Sequence, residues 1–158
     1  MPGNDADGGF ATHAGVPSRD LVALDARPGL TGRLGRAELE GWELAPIADA
    51  ATTAYQAIVR ARLAAGDIAV WIGAGGVGGY GAQLARALGA HVVAIDVDER
   101  RLAALAGTAG LAVHSRDKDP KLVRDELRAW IKQQGLRDAV VRIFEASGVP
   151  AGQSLAFS

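Results

Sequence analysis

The chain is 158 residues long and 49% hydrophobic, which is enough apolar material for a domain with a buried core. Its 17 basic and 18 acidic residues leave a net charge of -1, so bulk charge gives no reason to expect a nucleic-acid partner or an anionic membrane surface. The absence of cysteine excludes disulfides, a thiol nucleophile and an all-cysteine zinc site within these residues. No apolar run reaches about 18 residues, so we predict no membrane span. The acidic, glycine-rich first residues differ from a targeting signal, which favours a cytoplasmic protein.

The N-terminal zone, residues 1–47, is rich in glycine, proline and aspartate and carries only short apolar pieces. This composition predicts short strands and loops. From residue 48 the pattern changes to helical spacing, and Gly66 followed by Asp67 indicates the turn that ends this helix. The apolar residues at helical spacing are Tyr55, Ile58, Val59 and Leu63. We therefore divide the chain into residues 1–47 and 48–158.

Four strands are predicted in the second part, and the first of them is a short apolar run of the kind that forms a strand buried on both faces. They cover residues 68–72, 92–95, 111–114 and 140–144. The stretches between them, at residues 77–88, 99–106 and 120–131, have helical spacing, and the last begins with Asp119 as a cap and Pro120 at the first helical position. Strands that alternate with helices predict an α/β fold with a parallel sheet and crossover helices.

The strongest chemical signal is the loop between the first strand and its helix, Gly73-Ala74-Gly75-Gly76-Val77-Gly78. In a G-x-G-x-x-G loop the first glycine permits the tight turn, the second lets a pyrophosphate approach the backbone, and the third lets helix and strand pack closely. The helix N-terminus then offers free N–H groups and a positive dipole end to phosphates. The loop therefore predicts a dinucleotide site.

Asp96 ends the second strand, 23 residues after Gly73 and 18 after Gly78. This is near the spacing of about 20 residues expected for a carboxylate that binds a ribose. An aspartate there accepts hydrogen bonds from the ribose hydroxyls and repels a 2′-phosphate, which favours NAD over NADP. The alternative is a glycine-rich turn of another α/β protein, with Asp96 as a helix cap.

Several segments resemble, in the same order, the medium-chain dehydrogenase/reductase family, the relatives of the zinc alcohol dehydrogenases. They are Gly8–Ala11 with Val16-Pro17, Asp49–Tyr55, Gly66-Asp67, Gly73–Gly78, Leu88–Ala90, Asp96–Asp98 and Phe144–Gly148. The resemblance implies a truncated Rossmann-type parallel sheet in residues 48–158 and, in residues 1–47, a short β-rich remnant of a GroES-like catalytic domain. It further implies NAD as cofactor, zinc in the full-length parent and a homo-oligomer.

The implied activity is oxidation of a secondary alcohol to a ketone by an NAD-dependent alcohol dehydrogenase. Within the family, three segments resemble members that act on a cyclic alcohol carried by a CoA thioester: Pro2–Asp5, Ala48–Ala50 and Ala94–Asp98. The expected partner is therefore a small-molecule alcohol or a CoA-thioester substrate.

The resemblance also assigns roles to individual residues. The pyrophosphate would be cradled by Gly73, Gly75, Gly76, Val77 and Gly78, with Val77 also reaching toward the nicotinamide. Asp96 would bind the adenine ribose with support from Arg101. The nicotinamide would be flanked by Thr53, Ala146, Ser147 and Gly148. Asp49 falls at the position of the third ligand of catalytic zinc, where most members have cysteine and some have aspartate.

Three of these positions keep a structural alternative. Asp49 also fits the N-cap of the following helix, with Thr52 and Thr53 satisfying the same turn. Arg101 also fits a solvated helix face. Glu145 follows a buried strand and either reaches the active site or is a partly exposed acid at a strand end.

The family's other zinc ligands and its proton relay belong to a segment that would precede Met1, and a complete dinucleotide-binding sheet has about six strands. We therefore expect an internal fragment of a larger enzyme that binds the cofactor without measurable turnover by these residues alone. Two alternatives stay open: a zinc-free relative of quinone or enoyl reductases, in which Asp49 is irrelevant, and a non-catalytic nucleotide-binding module.

Overall fold

The computed structural model describes residues 5–22 and 41–157, and the chain divides into two units between Leu44 and Ala45. In the N-terminal zone the described residues form a 3-10 turn at Ser18–Asp20, a single bridging residue at Ala6 and a 3-10 helix, Gly41–Ala48. The short strands expected there are not formed within residues 5–22, and the rest of that expectation lies outside the described residues. The assignment of residues 1–47 to a catalytic domain stays a prediction.

The second unit alternates helices and strands along its length. The elements are α1 (Ala50–Arg60), β1 (Ile68–Ile72), α2 (Gly76–Ala87), β2 (His91–Asp96), α3 (Glu99–Ala104), β3 (Leu111–His114), α4 (Pro120–Gln133), β4 (Val141–Glu145) and α5 (Pro150–Ala156). All strand pairs are parallel, and the strand order is β3-β2-β1-β4. The predicted α/β fold with a parallel Rossmann-type sheet is confirmed.

Helices cover both faces of this sheet, which explains why its central strands consist of apolar residues without polar alternation. Trp71 and its neighbours on one face of β1 pack with residues of α1, α2 and α3, and the Trp71 indole stacks on Phe144 with ring centroids 4.4 Å apart. Val70 and its neighbours on the other face pack with residues of α4 and α5. Every residue of β1 is buried.

Local signals fix the ends of two helices. Asp119 caps α4, as predicted, because its carboxylate accepts the N–H of Lys121 at 2.7 Å, and Gly135 follows the helix with φ +70°. Helix α1 ends at Arg60, earlier than the apolar spacing to Leu63 suggested. The N–H of Leu63 donates to the carbonyl of Ile58, and Arg62 has φ +53°, so Leu63 belongs to a Schellman motif that ends the helix. Leu63 packs on the same core as α1, which explains why its spacing continues the helical pattern.

Two further helices differ from the sequence prediction. Helix α3 stops at Ala104, before the expected residue 106. Helix α5 was not predicted, because its sequence is short and contains glycine and serine. No helix within the described ranges is long and apolar enough to cross a membrane.

Candidate dinucleotide-binding cleft

The glycine loop connects β1 to α2, and its first glycine is required twice. Gly73 has φ +92°, a conformation that L side chains rarely adopt, and its N–H donates to the carbonyl of Ile95 at 2.8 Å. A Cβ at this position would lie 2.6 Å from the amide nitrogen of Ser147. Gly73 therefore permits both the turn and the close approach of the loop that follows β4.

The other glycines of the loop differ in what surrounds them. A Cβ on Gly78 would lie 1.8 Å from the carbonyl oxygen of Gly73, so the first turn of α2 packs directly on the loop backbone. A Cβ on Gly75 would have Arg101 Nη1 at 3.8 Å as its nearest neighbour, and one on Gly76 would meet nothing within 4 Å. The chain itself does not require glycine at Gly75 and Gly76, which fits positions that leave room for a ligand.

Asp96 lies at the carboxyl end of β2 and is only 5% exposed. Its carboxylate accepts the N–H groups of Ala74 at 2.6 Å and Asp98 at 2.8 Å, and Arg101 Nη1 lies 3.7 Å from it. The alternative interpretation, in which Asp96 caps a helix, is wrong for α3. The capping residue is Asp98, whose carboxylate accepts the N–H of Arg100 at 2.8 Å. That hydrogen bond is the main cause that holds the pKa of Asp98 below its usual value.

Two side chains, one at the end of β3 and one just after it, hold the loop that follows Asp96. His114 Nε2 lies 3.0 Å from the carbonyl oxygen of Val97, and Arg116 Nε donates to the same oxygen at 3.2 Å. His114 Nδ1 also lies 3.7 Å from a carboxylate oxygen of Glu99. No local pattern in the sequence predicts these contacts, because the residues are brought together only by the pairing of β2 with β3.

The predicted site residues gather at the carboxyl ends of β1, β2 and β4. A cavity of about 450 Å³ is lined by six of them: Gly73, Gly75, Asp96, Arg101, Ala146 and Ser147. A neighbouring cavity of about 440 Å³ is lined by four: Thr53, Val77, Ala146 and Gly148. Gly76 and Arg101 line a shallower groove beside the loop. Their roles in cofactor binding stay predictions.

The two cavities lie where the topology of the sheet changes direction. From β1 the chain runs through α2 to β2 on one side, whereas β4 pairs with the other edge of β1. Such a switch point is where open α/β sheets bind ligands, at the carboxyl ends of the strands. Ala146 anchors the loop after β4 there, because its N–H donates to the carbonyl of Ile72 at 2.8 Å.

Asp49 lies at the start of α1 and is exposed. Its carboxylate accepts the hydroxyl of Thr53 at 3.1 Å and caps no backbone N–H, while the hydroxyl of Thr52 donates to the carbonyl of Ile47. Within residues 5–22 and 41–157, no group of three or more His, Asp or Glu side chains could hold a metal ion. The described residues therefore do not assemble a zinc site, and Asp49 as a zinc ligand stays a prediction.

Comparison with known proteins agrees with this arrangement. Residues 48–131, just over half of the chain, match the family model described as alanine dehydrogenase/PNT, C-terminal domain. The chain is 29% identical over 127 residues to an alcohol dehydrogenase of Geobacillus stearothermophilus, covering 79% of this chain and 34% of that protein. The chain thus spans about a third of the length of this curated relative.

Solved structures show the same likeness. Galactitol-1-phosphate dehydrogenase from Escherichia coli superposes with a TM-score of 0.61 at 29% identity, over 70% of this chain and 30% of that one. An alcohol dehydrogenase from Thermotoga maritima gives a TM-score of 0.60 at 27% identity, over 75% of this chain and 33% of that one. The relatives and structural neighbours to which the chain is similar are alcohol dehydrogenases and related dehydrogenases, and the chain itself belongs to the family of the alanine dehydrogenase/PNT C-terminal-domain model.

Proposed function

We propose that the chain binds NAD in the cleft at the carboxyl ends of β1, β2 and β4, as the cofactor-binding part of an alcohol dehydrogenase. The observation that carries the proposal is the glycine loop, which lies with Asp96 and Arg101 on the wall of one 450 Å³ cavity. Loop and carboxylate are tied together, since Ala74 N–H donates to Asp96. A dinucleotide fits the glycine loop and the two charged side chains because Gly75 and Gly76 leave open the space that a pyrophosphate would fill.

The adenosine half is held by polar groups of opposite kinds. The N-terminus of α2 directs free N–H groups and its positive dipole end toward the pyrophosphate. Asp96 accepts hydrogen bonds from the ribose hydroxyls, and its negative charge opposes a 2′-phosphate. Arg101 is half exposed, and its Nη1 lies 3.7 Å from the Asp96 carboxylate. Arg101 therefore orients that carboxylate.

The nicotinamide half is assigned to the neighbouring cavity, whose lining includes Thr53, Val77, Ala146 and Gly148. NAD, when bound, supplies a carbon that accepts a hydride from the alcohol. The chain's own residues hold the ring and exclude water from one of its faces, because the cavity wall includes the buried ring of Trp71.

For the substrate, we propose a secondary alcohol carried on a CoA thioester, 6-hydroxycyclohex-1-ene-1-carbonyl-CoA of anaerobic aromatic degradation. The support is the resemblance of three segments, Pro2–Asp5, Ala48–Ala50 and Ala94–Asp98, to dehydrogenases of that compound. Saturation-transfer NMR on the NAD-loaded chain tests this proposal. Transfer to the ring protons of the thioester, and none to free CoA, is expected; equal transfer to both contradicts it.

Titration of the chain with NADH, followed by the fluorescence of the dinucleotide, tests the proposed function. Gly75→Asp places a side chain and a negative charge where the pyrophosphate would lie, so binding is expected to be lost. The fold should tolerate it, because the nearest neighbour of a Cβ there is the end of the Arg101 side chain. Gly107→Asp is the matched control, since a Cβ at Gly107 meets nothing within 4 Å and the residue lines neither cavity. Equal binding by both variants, or none by the wild type, contradicts the proposal.

A further inference from the structure

The loop that follows β4 is closed by a side chain from the end of the strand. Oε1 of Glu145 accepts the backbone N–H of Ser147 at 2.8 Å and also accepts the Ser147 hydroxyl. The hydroxyl oxygen of Ser147 in turn accepts the N–H of Val149 at 3.3 Å. Glu145 and Ser147 therefore fold the loop Ala146–Gly148 back on the end of its own strand.

Two glycines make room for this pair from opposite sides. A Cβ on Gly152 of α5 would lie 2.0 Å from Ser147 Oγ and 2.8 Å from Glu145 Oε1. A Cβ on Gly73 would lie 2.6 Å from the amide nitrogen of Ser147. The pair is thus held between the first glycine of the dinucleotide loop and helix α5, where close packing leaves few alternative positions.

The charge of Glu145 strengthens these contacts. The hydrogen bond from the Ser147 hydroxyl, with the N–H groups of Ser147 and Gly148, holds the pKa of Glu145 below its usual value against the opposing effect of burial. At neutral pH the group is a carboxylate, and hydrogen bonds to a charged acceptor are stronger than those between neutral groups.

The loop is the wall that the two cavities share. Ala146 and Ser147 line the larger cavity, and Glu145, Ala146 and Gly148 line its neighbour. A displacement of this loop would change the second cavity, where the nicotinamide is proposed to lie, more than the side of the first cavity formed by Asp96 and Arg101.

We propose that Glu145, acting through the hydroxyl and amide of Ser147, is a positioning residue that fixes the backbone of Ala146–Gly148 for the nicotinamide end of the dinucleotide. This inference rests on the proposed function. It goes beyond that function because Glu145 acts on the cofactor site through Ser147 and not by binding the cofactor itself.

The test compares two ligands, NADH and ADP-ribose, which lacks the nicotinamide. Glu145→Ala is expected to weaken NADH binding about ten-fold, because it removes a charged hydrogen-bond acceptor, and to change ADP-ribose binding less than about two-fold. Glu145→Gln keeps the acceptor oxygen and is expected to restore most of the NADH affinity. Ser147→Ala removes the hydroxyl link and should have the same selective effect as Glu145→Ala. Asp125→Ala, which removes an exposed carboxylate paired with Arg128, is the control.

The outcomes separate the two proposals. A selective loss for NADH, with rescue by glutamine, supports the positioning role. A loss of the same size for both ligands in all three variants, or no loss for either ligand, overturns the positioning role. The proposed function still stands in that case, provided that the wild-type chain binds NADH. If the wild-type chain binds neither ligand, the proposed function and this inference fail together. Unfolding in urea for each variant shows which losses come from a damaged fold, and Glu145→Gln and Ser147→Ala decide the result if Glu145→Ala does not fold.

Discussion

At the scale of residues, Asp96 combines burial with a full set of partners. Burying a carboxylate is costly unless its oxygens are paired, and here two backbone N–H groups and a guanidinium supply that pairing. One of those N–H groups belongs to Ala74 of the glycine loop. Asp96 therefore holds the loop in place and also presents a negative charge at the ribose end of the cleft.

Substitution of Asp96 separates these two roles. Asp96→Asn keeps an acceptor oxygen but removes the charge, so the preference for NADH over NADPH is expected to fall about ten-fold, equivalent to about 1.4 kcal/mol. Asp96→Ala leaves the two N–H groups unpaired and is expected to lower the free energy of unfolding by about 1–3 kcal/mol as well. The dissociation constants of both dinucleotides and urea unfolding of each variant measure these effects. An unchanged NADH preference in both variants would exclude Asp96 from cofactor choice.

Asp98 gives a prediction on pH. Its pKa is lowered in the folded chain, chiefly by the N–H of Arg100, so its contribution to stability is present above the unfolded value of 3.8 and is lost as the pH falls through the lower folded value. The difference in unfolding free energy between the wild type and Asp98→Ala should therefore shrink in acid. Asp98→Asn keeps a capping oxygen that does not titrate, so its difference from Asp98→Ala should stay constant. A difference in unfolding free energy between the wild type and Asp98→Ala that grows in acid would contradict this account.

At the scale of elements, the packing of α2 on the sheet depends on a glycine outside the G-x-G-x-x-G motif. A Cβ on Gly81 would lie 2.2 Å from the Trp71 indole, and Trp71 cannot move away because it is buried and stacked on Phe144. Gly81→Ala is therefore expected to lower the unfolding free energy by about 1–3 kcal/mol.

Gly79 provides the matched comparison on the same helix. A Cβ there would lie 3.6 Å from the carbonyl oxygen of Ala74, an ordinary contact. Gly79→Ala should therefore stabilise the chain by about 0.5–1 kcal/mol through helix propensity. Urea unfolding of the two variants measures the contrast, and equal effects of both would rule out close packing as the reason for Gly81.

The elements that could be predicted from the sequence are those that leave a pattern in their own residues, such as an apolar run or a capping residue. Strands β1 and β2 appear as apolar runs because both of their faces are buried, and α4 is bounded by Asp119 and Gly135. Helix α5 could not be predicted from its short sequence, which contains glycine and serine, and its close packing through Gly152 on the loop after β4 is a feature of the fold. The glycine loop and Asp96 followed from spacing alone. The support from Glu145, His114 and Arg116 could not, because those contacts depend on the fold.

At the scale of the whole molecule, the strand order brings three separate chain segments to one edge of the sheet. The glycine loop after β1, the Asp96 loop after β2 and the Ala146–Gly148 loop after β4 lie side by side because the strands are parallel and end together. Each loop is tied to a neighbouring strand or loop, as in the bonds from Gly73 to Ile95 and from Ala146 to Ile72. The cleft is therefore a property of the sheet and not of any single motif.

The most direct test of the dinucleotide cleft is a titration of the isotope-labelled chain with NADH, followed residue by residue in backbone amide NMR spectra. The largest shift changes are expected in three segments that are far apart in sequence: Gly73–Gly78, Asp96–Arg101 and Ala146–Gly148. Changes in all three at a common dissociation constant would confirm one site formed by three loops. No change at saturating NADH, or changes confined to residues outside the two cavities, would contradict the account.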